Sequence, residues 1–108
     1  GLAALEFILS ERLMEQADAK GAQYERRLVG HPAVREIRRT GLLMGVEFGD
    51  PALTQRIVLR AVERGLMTEW FLFRDTAMRI APPLTITPAE IDESCDILLD
   101  VLREVTGS

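Results

Sequence analysis

The organisation of this chain is clearest in the stretch Ala77-Met78-Arg79-Ile80-Ala81-Pro82-Pro83-Leu84-Thr85-Ile86-Thr87. Side chains alternate along a β-strand, so Met78 and Ile80 are predicted to face a core while Arg79 points the other way. The two prolines remove backbone donors and end the strand. Thr87-Pro88-Ala89-Glu90 then predicts a helix start, with a capping box and proline at the first helical position.

Arg79 is the candidate binding residue of this stretch. Ala77 and Ala81 share its predicted face, so a long guanidinium stands between two methyl groups. An arginine held in this way is well placed to bind a carboxylate or phosphate through two parallel N–H bonds. An arginine on a solvated sheet face, or one in a structural ion pair, fits the same residues, and the stretch alone leaves these alternatives open.

The rest of the chain predicts alternating helices and strands. Residues 2 to about 28 form an amphipathic helix, and Gly21 in its middle indicates close packing. Strands are predicted at 34–38 and 42–48, a helix opens at Asp50-Pro51, and a strand at 66–68 precedes a turn at 71–76. The last helix runs from Pro88 to about Val105. The predicted fold class is α+β: one two-layer domain, residues 1–108, with helices packed on a small, mostly antiparallel sheet.

The apolar residues assign faces to these elements. In the second strand Gly45 leaves a gap on the face opposite the core, where a packed helix or another backbone could approach closely. The residues predicted to be buried are Leu2, Leu5, Leu9, Leu13, Ala17, Tyr24 and Leu28 in the first helix, Leu42, Met44, Val46 and Phe48 in the second strand, Leu53, Ile57, Val58, Ala61 and Val62 in the second helix, and Ile91, Cys95, Leu98, Leu99 and Leu102 in the last.

Composition excludes several classes of function. The net charge of −4 argues against nucleic acid and acidic membrane as partners. No apolar run approaches the roughly 20 residues of a membrane span. Cys95 is the only cysteine, so no internal disulfide forms, and a reducing, cytosolic (cytoplasmic) setting is expected. The chain lacks an initiating Met, which suggests a processed chain, a tag remnant or a fragment.

Catalytic and metal-binding groups are sparse. One His and one Cys, far apart, do not make a metal site, and His31 before a proline is predicted to be a turn residue. Lys20 is the only lysine and lies in a charged part of a helix, so Schiff-base chemistry within this chain is not expected. Carboxylates at the start of the last helix are expected to stabilise its positive end.

Two further clusters each allow two interpretations. The large rings of Trp70, Phe71 and Phe73 form a contact surface if they are exposed and cap the core if they are buried, and their number on one loop favours the surface. The five arginines between positions 26 and 39 could bind an anion, but a solvated face is the favoured interpretation. They are Arg26, Arg27, Arg35, Arg38 and Arg39.

The ordered motifs resemble those of the class III pyridoxal-phosphate aminotransferases, which include the ornithine and acetylornithine aminotransferases. Residues 38–47 are similar to the family's Arg-Gly-x-Gly-Leu-Met-x-Gly-Val-Glu segment, with Arg39 where glycine is usual and Leu43-Met44 in reversed order. Arg64-Gly65-Leu66, Met78 to Leu84 and Ile91-Asp92 resemble later motifs of the same family.

The resemblance implies that this chain is the C-terminal small domain of a transaminase and is inactive alone. The large domain, with the Schiff-base lysine and most contacts to pyridoxal 5'-phosphate, would precede residue 1, so no cofactor-binding or catalytic residue is expected here. Arg79 matches the family's arginine that binds a substrate carboxylate or pairs with a gating glutamate. Gly41, Leu42 and Met44 are expected to line the adjoining cleft. The implied partners are the large domain, a homodimer partner, and an amino-acid or amine substrate with a keto acid.

A second hypothesis is a stand-alone α+β interaction or regulatory module. Such a module would bind a partner through the aromatic cluster or through the open face of the sheet. The coding sequence upstream of Gly1 separates the two hypotheses, because only the first expects a pyridoxal-phosphate domain there.

Overall fold

A computed structural model of the chain describes the backbone from Leu2 to Ser108 and the side chains from Leu9 onward. The four described strands form one antiparallel sheet in the order β1-β2-β4-β3, and the helices pack on one side of it. This confirms the predicted α+β two-layer architecture. The elements are α1 (Leu2–Leu28), β1 (Glu36–Thr40), β2 (Leu43–Glu47), α2 (Pro51–Glu63), β3 (Phe71–Arg74), β4 (Ala77–Ile80) and α3 (Pro88–Thr106). None of the helices in this described part is long and apolar enough to cross a membrane.

The core lies between the helices and the inner face of the sheet. Met44 and Val46 of β2 pair with Ile80 and Met78 of β4, and each of these side chains is at most 2% exposed. The predicted inner face of the second strand is thus confirmed, with Leu42 and Phe48 buried beside it, and the alternation leaves the opposite face of the sheet without helices.

Capping groups fix the starts of α2 and α3 as predicted. The Asp50 carboxylate accepts from the Leu53 N–H at 3.0 Å. At α3 the Thr87 hydroxyl accepts from the Glu90 N–H at 3.1 Å, and the Glu90 carboxylate accepts from the Thr87 N–H at 2.9 Å. This capping box satisfies N–H groups that have no partner within the helix, so it fixes the point where α3 leaves the sheet.

The strand assignment around the aromatic residues was wrong. The predicted strand at 66–68 is not a strand but leads into a turn at 68–70, in which the N–H groups of Trp70 and Phe71 both donate to the Met67 carbonyl. The predicted turn at 71–76 contains β3, and only Asp75 and Thr76 connect it to β4. Asp75 takes the positive φ of 57° that a two-residue hairpin turn requires. The strand preference of the two phenylalanines and the burial of Phe71 against Ile80 decide the difference.

The aromatic cluster is divided by this strand. Phe71 is 1% exposed, Trp70 packs partly buried against the core, and Phe73 at the sheet edge is 43% exposed. The prediction of a shared contact surface is therefore wrong for Phe71, because its ring belongs to the core.

The first helix is buried only in its C-terminal half. Tyr24 and Leu28 are buried as predicted, whereas Leu9 and Leu13 are about half exposed. The predictions for Leu2 and Leu5 fall outside the described side chains. The molecule measures 56 × 23 × 23 Å, and a helix of 27 residues is about 40 Å long, so α1 extends past the sheet. The burial predicted for its first half was wrong for this geometric reason.

The smaller differences concern single positions. The edge strand begins two residues later than predicted, although the Arg35 N–H already donates to the Glu47 carbonyl. In α3, Leu99 is only partly buried while Val101 is fully buried. Leu53 and Val62 of α2 are likewise partly buried.

Candidate functional site

The uncovered face of the sheet carries the candidate site. On this face one row of aligned residues runs across all four strands: Arg38 pairs with Gly45, Gly45 with Arg79, and Arg79 with Leu72. Antiparallel pairing places directly opposed residues about 5 Å apart. The glycine therefore leaves an open position between two arginines, and Arg79 occupies the outward position that the alternation of the strand predicted.

Arg79 is partly buried, and it has no charge partner among the side chains that the structure describes. Its neighbours on the same face of β4 are Ala77 and Ala81, so no bulky side chain of its own strand covers the guanidinium. No side chain from Leu9 to Ser108 forms an ion pair or hydrogen bond with it. Of the alternatives that the sequence left open, a structural ion pair is thus absent within this described part.

A cavity of about 370 Å³ lies over three residues of this row, Arg38, Gly45 and Arg79. Thr40, Leu43, Met44, Gly45 and Ala77 form its uncharged lining. The charged lining consists of four arginines, Arg38, Arg39, Arg74 and Arg79, and no carboxylate. Such a lining favours an anionic ligand, because guanidinium groups bind carboxylates and phosphates through parallel hydrogen bonds.

Two of the four arginines are already neutralised. Arg38 contacts Glu36 at 3.3 Å and Glu47 at 3.2 Å. Hydrogen bonds from the Thr76 hydroxyl, the Gly49 N–H and Arg38 lower the pKa of Glu47, so this carboxylate stays ionised at neutral pH.

Arg39 is the second neutralised arginine, and it faces α1. It contacts Glu25 and Asp18, each at 2.9 Å, and donates to the Gly41 carbonyl at 2.8 Å. Arg74 and Arg79 form no ion pair with the described side chains. The free positive charge of the cavity is therefore concentrated on these two residues, both on the uncovered face.

The other cationic residues do not join the site. Arg27 bridges Asp92 and Asp96 of α3, which ties α1 to α3. These two carboxylates thus form ion pairs between helices, whereas the sequence predicted that they would stabilise the positive end of α3. Three arginines of the predicted basic stretch, Arg27, Arg38 and Arg39, thus form separate ion pairs, and the stretch does not form one anion-binding surface.

The residues expected to line an adjoining cleft divide between two cavities. Met44 lines the arginine cavity, although it is only 2% exposed. Gly41 and Leu42 line a second, apolar cavity of about 620 Å³ between α1 and the segment after β4. Thr40 and Leu43 line both, so the two cavities meet at the β1–β2 turn.

The β1–β2 turn rests directly on α1. A Cβ atom placed on Gly21 would lie 1.9 Å from the Gly41 carbonyl oxygen. Gly41 itself has a φ of +59°, a conformation in which glycine is strongly favoured. The close packing that Gly21 indicated is thereby confirmed, and it fixes the wall shared by both cavities.

The remaining reactive groups lie elsewhere. Lys20 donates to the Leu84 carbonyl on the side of α1, away from the arginine cavity. The Nδ1 of His31 accepts from the Ala33 N–H at 3.0 Å, as a turn residue does. Burial raises the pKa of the Cys95 thiol to about 12, so it carries no reactive thiolate at neutral pH. No group of metal-binding side chains occurs in the described part of the chain.

Arg74 also lines the cavity but was not singled out from the sequence. Arg74 was placed in a turn, and only its assignment to β3 brings it to the uncovered face. Alternation counted from Phe71, with its β-forming ring, was the available signal.

Comparison with known proteins places these features in context. The family model described as Aminotransferase class-III matches residues 1–102. The acetylornithine aminotransferase of Caldanaerobacter subterraneus subsp. tengcongensis is 37% identical, over 97% of this chain and 27% of its own length. The ornithine aminotransferase of Plasmodium falciparum is 34% identical over 93% of this chain and 25% of its own length.

Solved structures agree with the sequence comparison. The omega transaminase of Pseudomonas jessenii, in complex with PMP, superposes with a TM-score of 0.78 at 26% identity, over 95% of this chain and 25% of that one. The ornithine aminotransferase of Toxoplasma gondii gives a TM-score of 0.72 at 30% identity, over 98% of this chain and 26% of its own. The chain thus spans about a quarter of the length of each of these relatives.

Proposed function

The chain belongs to the class III aminotransferase family, and from this premise we propose that it forms the small domain of a pyridoxal-phosphate-dependent transaminase. In the intact enzyme it binds a substrate carboxylate and closes the active site. The observation that carries the proposal is Arg79, partly buried in a cavity lined by arginines and unpaired with any described side chain.

The binding role follows from the charge and rigidity of this position. A central strand fixes the backbone at Arg79, and two parallel N–H bonds from a guanidinium fix the orientation of a bound carboxylate. Since Arg38 and Arg39 are already paired, Arg79 supplies uncompensated charge at the centre of the row. We propose that the bound group is the carboxylate of an amino-acid donor or of a keto acid.

The cofactor does not fit the residues of this chain. Pyridoxal phosphate supplies the amino-group transfer chemistry of the family, and in class III enzymes a lysine anchors it. The only lysine here, Lys20, is engaged with the Leu84 carbonyl and does not line the arginine cavity. We therefore assign no residue of this chain to the cofactor, which the rest of the enzyme would hold.

The surface that would meet the rest of the enzyme is apolar. The half-exposed Leu9 and Leu13, together with Met14 at 70% exposure, continue into the apolar cavity beside Gly41. Large apolar groups on one exposed side of a helix indicate an interaction surface. We propose that the large domain covers this side of α1, and that a second subunit completes a homodimer in the cytosol.

The stand-alone interaction module has weaker support. It relied on the aromatic cluster or on the open face of the sheet, and the first of these surfaces is reduced because Phe71 belongs to the core. The family match extends over nearly all of the chain and includes β4, the strand that carries Arg79.

The test is substitution of Arg79 in the intact transaminase. Arg79→Ala should lower kcat/KM about 10- to 100-fold, as expected for the loss of hydrogen bonds to a charged group. Arg79→Lys keeps the positive charge but loses the planar guanidinium that donates two parallel hydrogen bonds. This variant should therefore recover only part of the lost kcat/KM. Arg26→Ala, which removes an exposed arginine of α1 outside the cavity, is the matched control and should have no effect. Unchanged kcat/KM in Arg79→Ala would contradict the proposal.

A further inference from the structure

Gly45 is a glycine that the described chain does not require. A Cβ placed there meets no atom within 4 Å, and the residue is absent from the positive-φ set. Gly21, by contrast, has the Gly41 carbonyl oxygen at 1.9 Å from its ideal Cβ. Glycine inside a strand weakens the strand, because it has more freedom to lose on folding and no side chain to pack. Contacts within the described part of the domain thus do not explain why position 45 is a glycine.

The position of Gly45 supplies that reason. It lies between Arg38 and Arg79 on adjacent strands and forms part of the lining of the arginine cavity. The open position at Gly45 therefore adjoins Arg79 on the uncovered face. We infer that Gly45 is the floor of the Arg79 site and limits the size of the carboxylate-bearing group that binds there. The inference rests on the function proposed above.

The charges around Gly45 favour a small anionic ligand over a packed protein segment. Arg79 is unpaired among the described side chains, and the cavity contains no carboxylate. An apolar helix laid across Gly45 would remove Arg79 from water without giving it a partner, at a large cost in free energy. A planar carboxylate instead pairs with the guanidinium. Such a group is thin enough to fit in the space that the missing Cβ of Gly45 leaves open.

The experiment adds one methyl group to this floor. Gly45→Ala is compared in the intact transaminase with Arg79→Ala and with Gly30→Ala, since Gly30 is another position where a Cβ meets nothing within 4 Å. Turnover is measured with L-ornithine and L-alanine as donors and 2-oxoglutarate as acceptor. Thermal unfolding is followed in the same proteins and in the 108-residue chain.

The inference predicts a kinetic effect without a stability effect. Gly45→Ala should raise KM and lower kcat/KM by about tenfold, the scale expected for overfilling a packed contact with one methyl group. Its unfolding midpoint should equal or exceed that of the wild type, and Gly30→Ala should match the wild type in kinetics. L-ornithine, the longer donor, should lose more activity than L-alanine, because the floor limits the size of the group that binds at Arg79.

Other outcomes overturn specific claims. Full activity in Gly45→Ala with a strong loss in Arg79→Ala would refute the role of Gly45 and leave the carboxylate site intact. A lower unfolding midpoint of the intact enzyme with unchanged KM would show that a protein segment covers Gly45, which also refutes the inference. No loss in Arg79→Ala, or no turnover of the wild type with any donor, would refute the proposed function and with it the premise about Gly45.

Discussion

Replacing Gly21 by alanine should destabilise the domain, although a change from glycine to alanine inside an ordinary helix stabilises that helix. The helix preference of alanine over glycine is worth about 1 kcal/mol. In this chain, however, the new Cβ would lie 1.9 Å from the Gly41 carbonyl oxygen and 2.9 Å from the Arg39 guanidinium. A comfortable contact needs about 3.5 Å, so the β1–β2 turn must move by about 1.5 Å.

The size of the effect follows from what that movement breaks. Arg39 holds the turn through the Gly41 carbonyl at 2.8 Å and through Glu25 and Asp18, each at 2.9 Å. Overpacking costs about 1–3 kcal/mol, and the partly exposed ion pairs add at most about 1 kcal/mol each. After subtraction of the helix preference, we expect a loss of about 2 kcal/mol in the free energy of unfolding. For a domain of this size the unfolding midpoint falls by about 10 °C.

Thermal and urea unfolding of the 108-residue chain, followed by circular dichroism, measure this loss. Gly30→Ala, where the added Cβ meets no neighbour within 4 Å, is the matched control and should stay within about 0.5 kcal/mol of the wild type. A Gly21→Ala variant as stable as the wild type would refute the close contact between α1 and the turn.

Two further predictions concern α3. Thr87→Ala removes the hydroxyl that caps the helix, so the free energy of unfolding should fall by about 1 kcal/mol, whereas Thr87→Ser should keep the cap; equal urea midpoints for both variants would exclude the capping role. Burial raises the pKa of Cys95 from an ordinary 9.0 to about 12, so above pH 9 the unfolded chain ionises first and stability falls until about pH 12. Urea unfolding between pH 8 and 10 should show this decline in the wild type and a flatter profile in Cys95→Ala, and identical slopes would contradict it.

The positions that the sequence predicted correctly share a local cause. The alternation of Met78, Arg79 and Ile80 requires only that the segment be extended, and the capping box at Thr87 involves residues three apart. The tight contact of Gly21 was also visible, because a glycine inside a helix needs a reason.

The incorrect predictions concern residues whose structure depends on contacts with segments that are distant in the sequence. Phe71 could cap the core from a loop or lie in a strand, and its pairing with Ile80 decided for the strand. Leu9 and Leu13 have the periodicity of buried residues, yet α1 extends beyond the sheet and leaves them half exposed.

The sequence by itself therefore determined the helices, their caps, the inner face of each central strand and the outward direction of Arg79. These features depend on the chemistry of neighbouring residues, which a chain carries with it before it folds. Only the tertiary structure placed four arginines in the lining of one cavity with Gly45, paired Arg38 and Arg39 with carboxylates, and left Arg74 and Arg79 free of partners among the described side chains. Strand register and helix length decide which charges meet, and both are set by contacts between residues far apart in sequence.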